Sequence, residues 1–263
     1  MLEFEFTVVD WAAYAAGLTE KMDWLAWAAR SPQLPAFDAQ AAPPLIEMPA
    51  MMRRRLDRVG RFACQVAWWC QQRDDSAPMV FASRYGDSER SLGLLGELVQ
   101  GEPLSPTGFG LSVHNAISAL YGIARGHTGN TIAVCAGRAT VGAALTEAAA
   151  LLADGAPEVL VVFYETPLPS LYTAFEDEDL AEYAWCWRVA KPAASGPRTR
   201  VSVGTEGTDS PRLTTDTAPS TWPSGLAVLR HVLQQMPAPA SPMRIDLRRH
   251  DRAGTEWKWG MHA

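Results

Sequence analysis

The segment Glu158–Tyr164, EVLVVFY, constrains this chain more than any other. Strand-forming residues run through it without the polar alternation of a half-exposed strand. A strand that is apolar at successive positions is buried on both faces, which requires a packed layer on each side of its sheet. The stretch just before it, 141–154, is apolar almost throughout and stops at Gly155, so it is predicted to be a buried helix. A buried helix leading into a buried strand is the signature of a layered α/β domain.

The remaining pattern fits that class. Leu2, Phe4, Phe6 and Val8 alternate like a strand, and an Ala- and Trp-rich run follows as far as Ser31-Pro32. The Pro- and Ala-rich segment 31–49 reads as a loop. Three- and four-residue spacing of Met52, Leu56, Val59, Ala63, Val66 and Ala67 predicts a helix over 50–72. Its other face carries Arg53, Arg54, Arg58 and Arg61, which read first as solvated cations. A short strand is predicted at 79–83 and a helix at 88–100, stopped by Gly101-Glu102-Pro103. The turn-rich SPTGFG leads into a helix over about 112–125, and Thr131–Ala136 is a strand ended by Gly137. Beyond Glu165 come an acidic run at 176–179, read as solvated surface, and a segment with Tyr183, Trp185 and Trp187, read as core or interface. Residues 192–221 are rich in Pro, Ser, Thr and Gly and read as loop, in part disordered. A helix at 224–236 and a strand near 255–259 close the chain.

Composition narrows the functions. The formal net charge of −6 lacks the excess of Lys and Arg that phosphate neutralisation needs, so nucleic acid is not the expected partner. The acidic start, MLEFEFTVVDW, lacks the positive region of a signal peptide, and no stretch approaches the length of a membrane span. A cytoplasmic location is the expectation. Cys64, Cys70, Cys135 and Cys186 have no CxxC spacing and no His in ligand register, so neither zinc nor a disulfide framework is expected. Cys64 and Cys70 read as buried free thiols.

The block from Ser105 to Thr166 resembles the central stretch of the β-ketoacyl synthases. Asn115 matches the Asn at the opening of their helix, GHTGN (126–130) their glycine-rich turn, and TIAVCAG the strand before their nucleophile elbow. Glu147 and its apolar helix match the segment after the elbow, and MRRRLDRVGR matches their Arg-rich helix. The SPTxF…SVHNA wording is closest to short chain-length-factor-like subunits of aryl polyene and xanthomonadin pathways. The resemblance implies a thiolase-like layered α/β fold. A complete N-terminal half over 1–170 would be followed by a reduced C-terminal half over 171–263.

It also implies a role without chemistry. Counting without gaps from Asn115, the nucleophile position falls on Arg138, and a guanidinium stays protonated and cannot attack a thioester. The polyketide chain length factors commonly carry Gln there, so Arg138 departs from them as well. None of His114, His127, His231, His250 and His262 lies in the sequence context of the family's catalytic pair. No cofactor is implied. The rival reading is a divergent acyltransferase or thioesterase using Cys135, which falls early, inside the strand rather than on the elbow. The family pairs the strand before the elbow across a dimer axis, so Thr131, Ile132, Ala133, Val134, Cys135 and Ala136 are the candidate interface with a full-length β-ketoacyl synthase. Acyl carrier protein is the second implied partner, and the arginine face is a candidate contact for it. Ser88, Ser91 and Leu95 fall at the gate positions of the acyl tunnel, with Phe109 and Val113 near its lining. Ser88 has the plainer alternative of a helix cap.

Overall fold

In a computed structural model the described residues are 2–30, 32–72, 76–193, 197–205, 221–236, 247–251 and 254–262. They form one open mixed sheet of eight strands between two layers of helices: β1 (Leu2–Tyr14), β2 (Met79–Ala82), β3 (Thr131–Val134), β4 (Glu158–Glu165), β5 (Tyr183–Ala190), β6 (Arg198–Thr205), β7 (Leu247–His250) and β8 (Thr255–His262), in the order β3-β2-β4-β5-β1-β6-β8-β7. The strand predicted at 158–164 is β4 (Glu158–Glu165), at an interior position of that sheet. Val159, Val161 and Phe163 enter one core, while Leu160, Val162 and Tyr164 enter the other. Its lack of alternation is thus the sum of two alternating faces, each covered.

The first core is closed by α1 (Lys21–Ala29), α7 (Thr140–Ala153) and α8 (Ser224–Gln235). The second is closed by α3 (Arg58–Cys70) and α6 (Ala116–Arg125). The Trp/Tyr-rich segment is β5 (Tyr183–Ala190), antiparallel to β4 on one side and to β1 (Leu2–Tyr14) on the other. Tyr183, Trp185, Trp187 and Val189 point into the first core, and the small Ala184 and Cys186 into the second. The small side chains let α3 approach β5 closely, and the large ones fill the wider gap beneath α8. Trp185 stacks on Trp187 and Phe163 at 4.4 and 5.2 Å between centroids, and its Nε1 donates to the Gly225 carbonyl at 3.1 Å. Such ring pairs add about 0.5–1.5 kcal/mol each beyond their buried area.

Several sequence expectations need correction. The helix over 50–72 is two: α2 (Ala50–Arg53) ends in a turn, and α3 starts at Arg58. The break lets Leu56 bury itself and places Asp57 2.7 Å from Arg90. The arginines therefore do not share one face. Arg58 is bound to the Glu182 carboxylate and to the carbonyls of Asp38 and Ala39, and Arg53 donates to the Leu45 carbonyl. SPTGFG makes its own short helix, α5 (Pro106–Gly110), capped by Ser105, and α6 starts only at Ala116.

The range 192–221 contains β6 (Arg198–Thr205), which pairs with β1 and β8 (Thr255–His262); residues 194–196 and 206–220 lie outside the described residues. Its turn-forming composition hid a strand held by neighbours on both edges. Among the described residues, the segments on both sides of 170 share one sheet. Strands β5, β6, β8 and β7 (Leu247–His250) all join the sheet that β1–β4 begin, because β1 is long enough to pair β5 along one edge and β6 along the other.

One tight joint is where α8 meets β4. A Cβ on Gly225 would lie 2.3 Å from the Phe163 ring, which is held between Tyr183 and Trp185 and cannot swing away. Gly225→Ala is expected to lower stability by about 1–3 kcal/mol, read as a lower urea midpoint with an unchanged m-value.

Candidate functional site: the elbow and the open face

Parallel strands β2 (Met79–Ala82), β3 (Thr131–Val134) and β4 point their carboxyl ends to one region, where ligands of open α/β sheets bind. The elbow follows β3. Gly137 adopts φ +57°, a conformation that favours glycine, and starts a single 3₁₀ turn, Gly137–Ala139, leading into α7. Buried Thr140 stitches it together: its Oγ1 accepts from the Ala136 N–H at 3.0 Å and donates to the Gly137 carbonyl at 2.7 Å. Arg138 stands at the centre of this turn.

The Arg138 side chain is paired. Its guanidinium donates to the Asp177 carbonyl, and its Nε lies 3.2 Å from Asp177 Oδ2. Arg84, just past β2, reaches the other Asp177 oxygen at 2.6 Å and Glu178 at 3.2 Å. Burial works against the Arg84 charge, but the bond to Asp177 and the nearby acids hold its pKa above the usual value. The acidic run 176–179 is therefore not simply solvated surface: two of its members neutralise the elbow arginines.

Glu165, at the end of β4, accepts from the Arg84 N–H and from the Ser83 hydroxyl at 3.3 Å. Burial, reinforced by the Glu178 charge, pushes its carboxyl up to about 8 despite these donors. The space left among Arg84, Arg138, Glu165, Tyr183 and Ser224 is about 40 Å³, room for a few waters rather than an acyl chain.

Cys135 departs from its expected place. Strand β3 ends at Val134, so Cys135 and Ala136 lie in the exposed link to the elbow and not inside the strand. The Cys135 thiol donates to the Arg84 carbonyl at 3.1 Å, a group that cannot take its proton. His114 contacts the Ser83 carbonyl at 3.0 Å, and His127 contacts the Gln71 amide at 3.3 Å. His231 is buried on α8, and burial lowers its pKa to about 4. Cys64, Cys70 and Cys186 are free and buried.

Strand β3 is the edge of the sheet, and its residues are partly to fully exposed. The predicted gate lies on α4 (Ser88–Gln100), a helix none of whose residues is buried. Asp87 caps it by accepting from the Arg90 N–H, which removes the capping role from Ser88. Arg90 ties its start to Asp87, to Asp57 and to the Arg55 carbonyl. Ser88, Ser91 and Leu95 form one stripe, which Leu98 extends. The serines are half-buried, and Leu95, Leu98 and Val99 are exposed. Phe109 on α5 and Val113 beyond it are exposed too. Leu95, Leu98, Val99, Phe109 and Val113 thus leave large apolar side chains open to solvent within one stretch of the chain.

These features define a thiolase-fold protein with Arg138 at the centre of the turn that follows β3. The chain belongs to the β-ketoacyl synthases: the family model described as "Beta-ketoacyl synthase, N-terminal domain" matches residues 24–260. Among solved structures it is similar to one of a ketosynthase in complex with its chain length factor from Xenorhabdus doucetiae. The identity is 25% and the TM-score 0.76, covering 98% of this chain and 99% of the other. The ishigamide ketosynthase/chain length factor shares the fold at 16% identity and TM-score 0.65, over 98% of each chain. So does a β-ketoacyl synthase from Burkholderia phymatum, at 10% and 0.67, over 98% and 99%. No curated protein sequence matches significantly. No helix among the described residues is long and apolar enough to cross a membrane, and no group of His, Cys, Asp and Glu among them is set to hold a metal.

Glu165 generates a pH prediction. Between its ordinary value of 4.5 and about 8 the folded carboxyl keeps a proton that the unfolded chain has released. Its contribution to stability is therefore full below about pH 4.5 and falls as pH rises through about 8. Glu165→Gln should flatten this decline in urea midpoints taken across that window; equal slopes in both proteins would mean the folded carboxyl is ionised.

Proposed function

We propose that this chain is a non-catalytic, chain-length-factor-like subunit that pairs with an active β-ketoacyl synthase and shapes its acyl tunnel during polyene-type chain elongation. Arg138 carries the reading. It stands on the elbow turn, its guanidinium is a donor that cannot attack a thioester, and it is already paired with Asp177. No thiolate stands there to take up an acyl group, and the thiol nearby, Cys135, hydrogen-bonds a carbonyl rather than a base.

The partner-facing half of the reading rests on what the chain leaves uncovered. Among the described residues, β3 offers an open backbone edge, and Leu95, Leu98, Phe109 and Val113 offer exposed apolar side chains. A full-length synthase would cover them, and acyl carrier protein would deliver substrate to the pair. The similarity to the structure of a ketosynthase with its chain length factor supports this partner class. The small Ser88 and Ser91 would leave the tunnel wall open, as a long conjugated chain requires.

Three outcomes test it. Expressed alone, the chain should self-associate or precipitate, and with its cognate synthase it should elute and sediment as a 1:1 complex. A monodisperse monomer that ignores the synthase would refute the pairing. Cys135→Ala should leave elongation by the complex nearly intact; loss of turnover in an assembled complex would favour the acyltransferase or thioesterase reading. Ser91→Trp should shorten the product without slowing early condensations, because only a grown chain reaches that wall. Overpacking a fixed wall costs about 1–3 kcal/mol, and about 1.4 kcal/mol is tenfold in rate. Mass spectrometry of carrier-bound intermediates reads the length directly, and an unchanged distribution would remove the tunnel role from α4.

A further inference from the structure

The segment between β4 and β5 crosses the elbow and is fastened there at three points. Arg138 grips Asp177 through its carbonyl and its carboxylate. Arg84 reaches Asp177 and Glu178 together. The other Glu178 oxygen accepts from the N–H and the hydroxyl of Ser224, at 3.2 and 2.6 Å, where α8 begins. The Asp177 and Glu178 side chains keep only 16% and 14% of their surface exposed, so both have been drawn out of water. Planar guanidinium groups suit this task, since each holds a carboxylate through several directed N–H donors. The small space described above is lined by Glu176, Glu178 and Asp179 of this strap segment together with Phe163 and Tyr183.

A guanidinium at the elbow is thus more than a lost nucleophile, because it holds something. We propose that Glu176–Asp179 is an internal plug, and that Arg138, with Arg84, is a positioning residue that keeps this plug across the pocket and denies it to acyl thioesters. The inference rests on the non-catalytic reading, which gives closure its purpose. An acyl chain lodged beside an elbow without a nucleophile would be a dead end, competing with the partner's site for substrate. Arg138 removes the nucleophile and shuts the pocket with the same side chain.

Hydrogen exchange across residues 172–181 and binding of octanoyl-pantetheine by calorimetry test the plug, in wild type, Arg138→Ala, Arg138→Lys and Asp177→Asn. Arg138→Ala and Asp177→Asn should exchange at least about tenfold faster in the strap, a local opening rather than global unfolding. Both variants should bind the probe, and wild type should not. Arg138→Lys keeps a cation near Asp177 and should restore most of the protection. The proposal is overturned if Arg138→Ala leaves exchange unchanged, or if wild type binds the probe as tightly as the variant. Faster exchange without probe binding also overturns it, leaving a structural tie that guards nothing. If Arg138→Ala does not fold, the isosteric Asp177→Asn carries the same readouts. All are made on the soluble form in which the chain is recovered, self-associated or paired with a synthase whose own thiol is alkylated before mixing, so a chain that pairs with no synthase would sink the subunit reading and leave this test standing.

Discussion

Double-sided burial of the sheet centre is the condition on which the rest of the structure depends. Strands β4 and β5 have no face to give to water, so helices must cover both sides, and the chain supplies them unequally. On the α3 side the strands present Ala184 and Cys186, and the helix comes close. On the α8 side they present a stack of rings that fills a deeper layer. Each buried aromatic or large aliphatic side chain contributes about 1.5–3 kcal/mol relative to exposure. This core is large enough to hold a rigid frame for elements that contribute no buried residues of their own.

Helix α4 is such an element. None of its residues is fully buried, and its start is held by the Asp87 cap and by the ties that Arg90 makes at its first turn. A helix anchored at one end and bare along an apolar stripe is suited to meet a second surface. The β3 edge has the same property in backbone form, since unpaired N–H and C=O groups beside apolar side chains are an aggregation liability unless covered. The buried core and the uncovered face are two consequences of one division of labour. The chain places some apolar residues in the frame and leaves others exposed on α4 and α5, and the turn after β3 holds the ion pairs of Arg138, Asp177 and Arg84.

Much of this was legible in the sequence wherever a local pattern decides the outcome. The unbroken apolar run of β4, the apolar helix α7, the Gly137 turn, the buried thiols Cys64 and Cys70, and the ordered motifs from Ser105 to Thr166 all lie within short windows. Legibility failed where partners distant in sequence override the local pattern. Strand β6 hides in a turn-like composition because β1 and β8 supply its pairing from opposite ends of the chain. The helix over 50–72 breaks at a turn whose Asp57 reaches Arg90, a contact invisible to periodicity.

By itself, then, the sequence determined the class of fold, the family and the turn that carries Arg138, because spacing and side-chain chemistry are written locally. Tertiary structure alone decided the state of that residue. Arg138 meets Asp177, and Asp177 meets Arg84, only because strands β2, β3 and β4 end side by side and the following segment folds back over them. In the sequence those acids were a charged run with no reason to leave water. In the fold, two guanidinium groups and the start of α8 compensate their desolvation, and a run that reads as surface becomes the lid of the elbow.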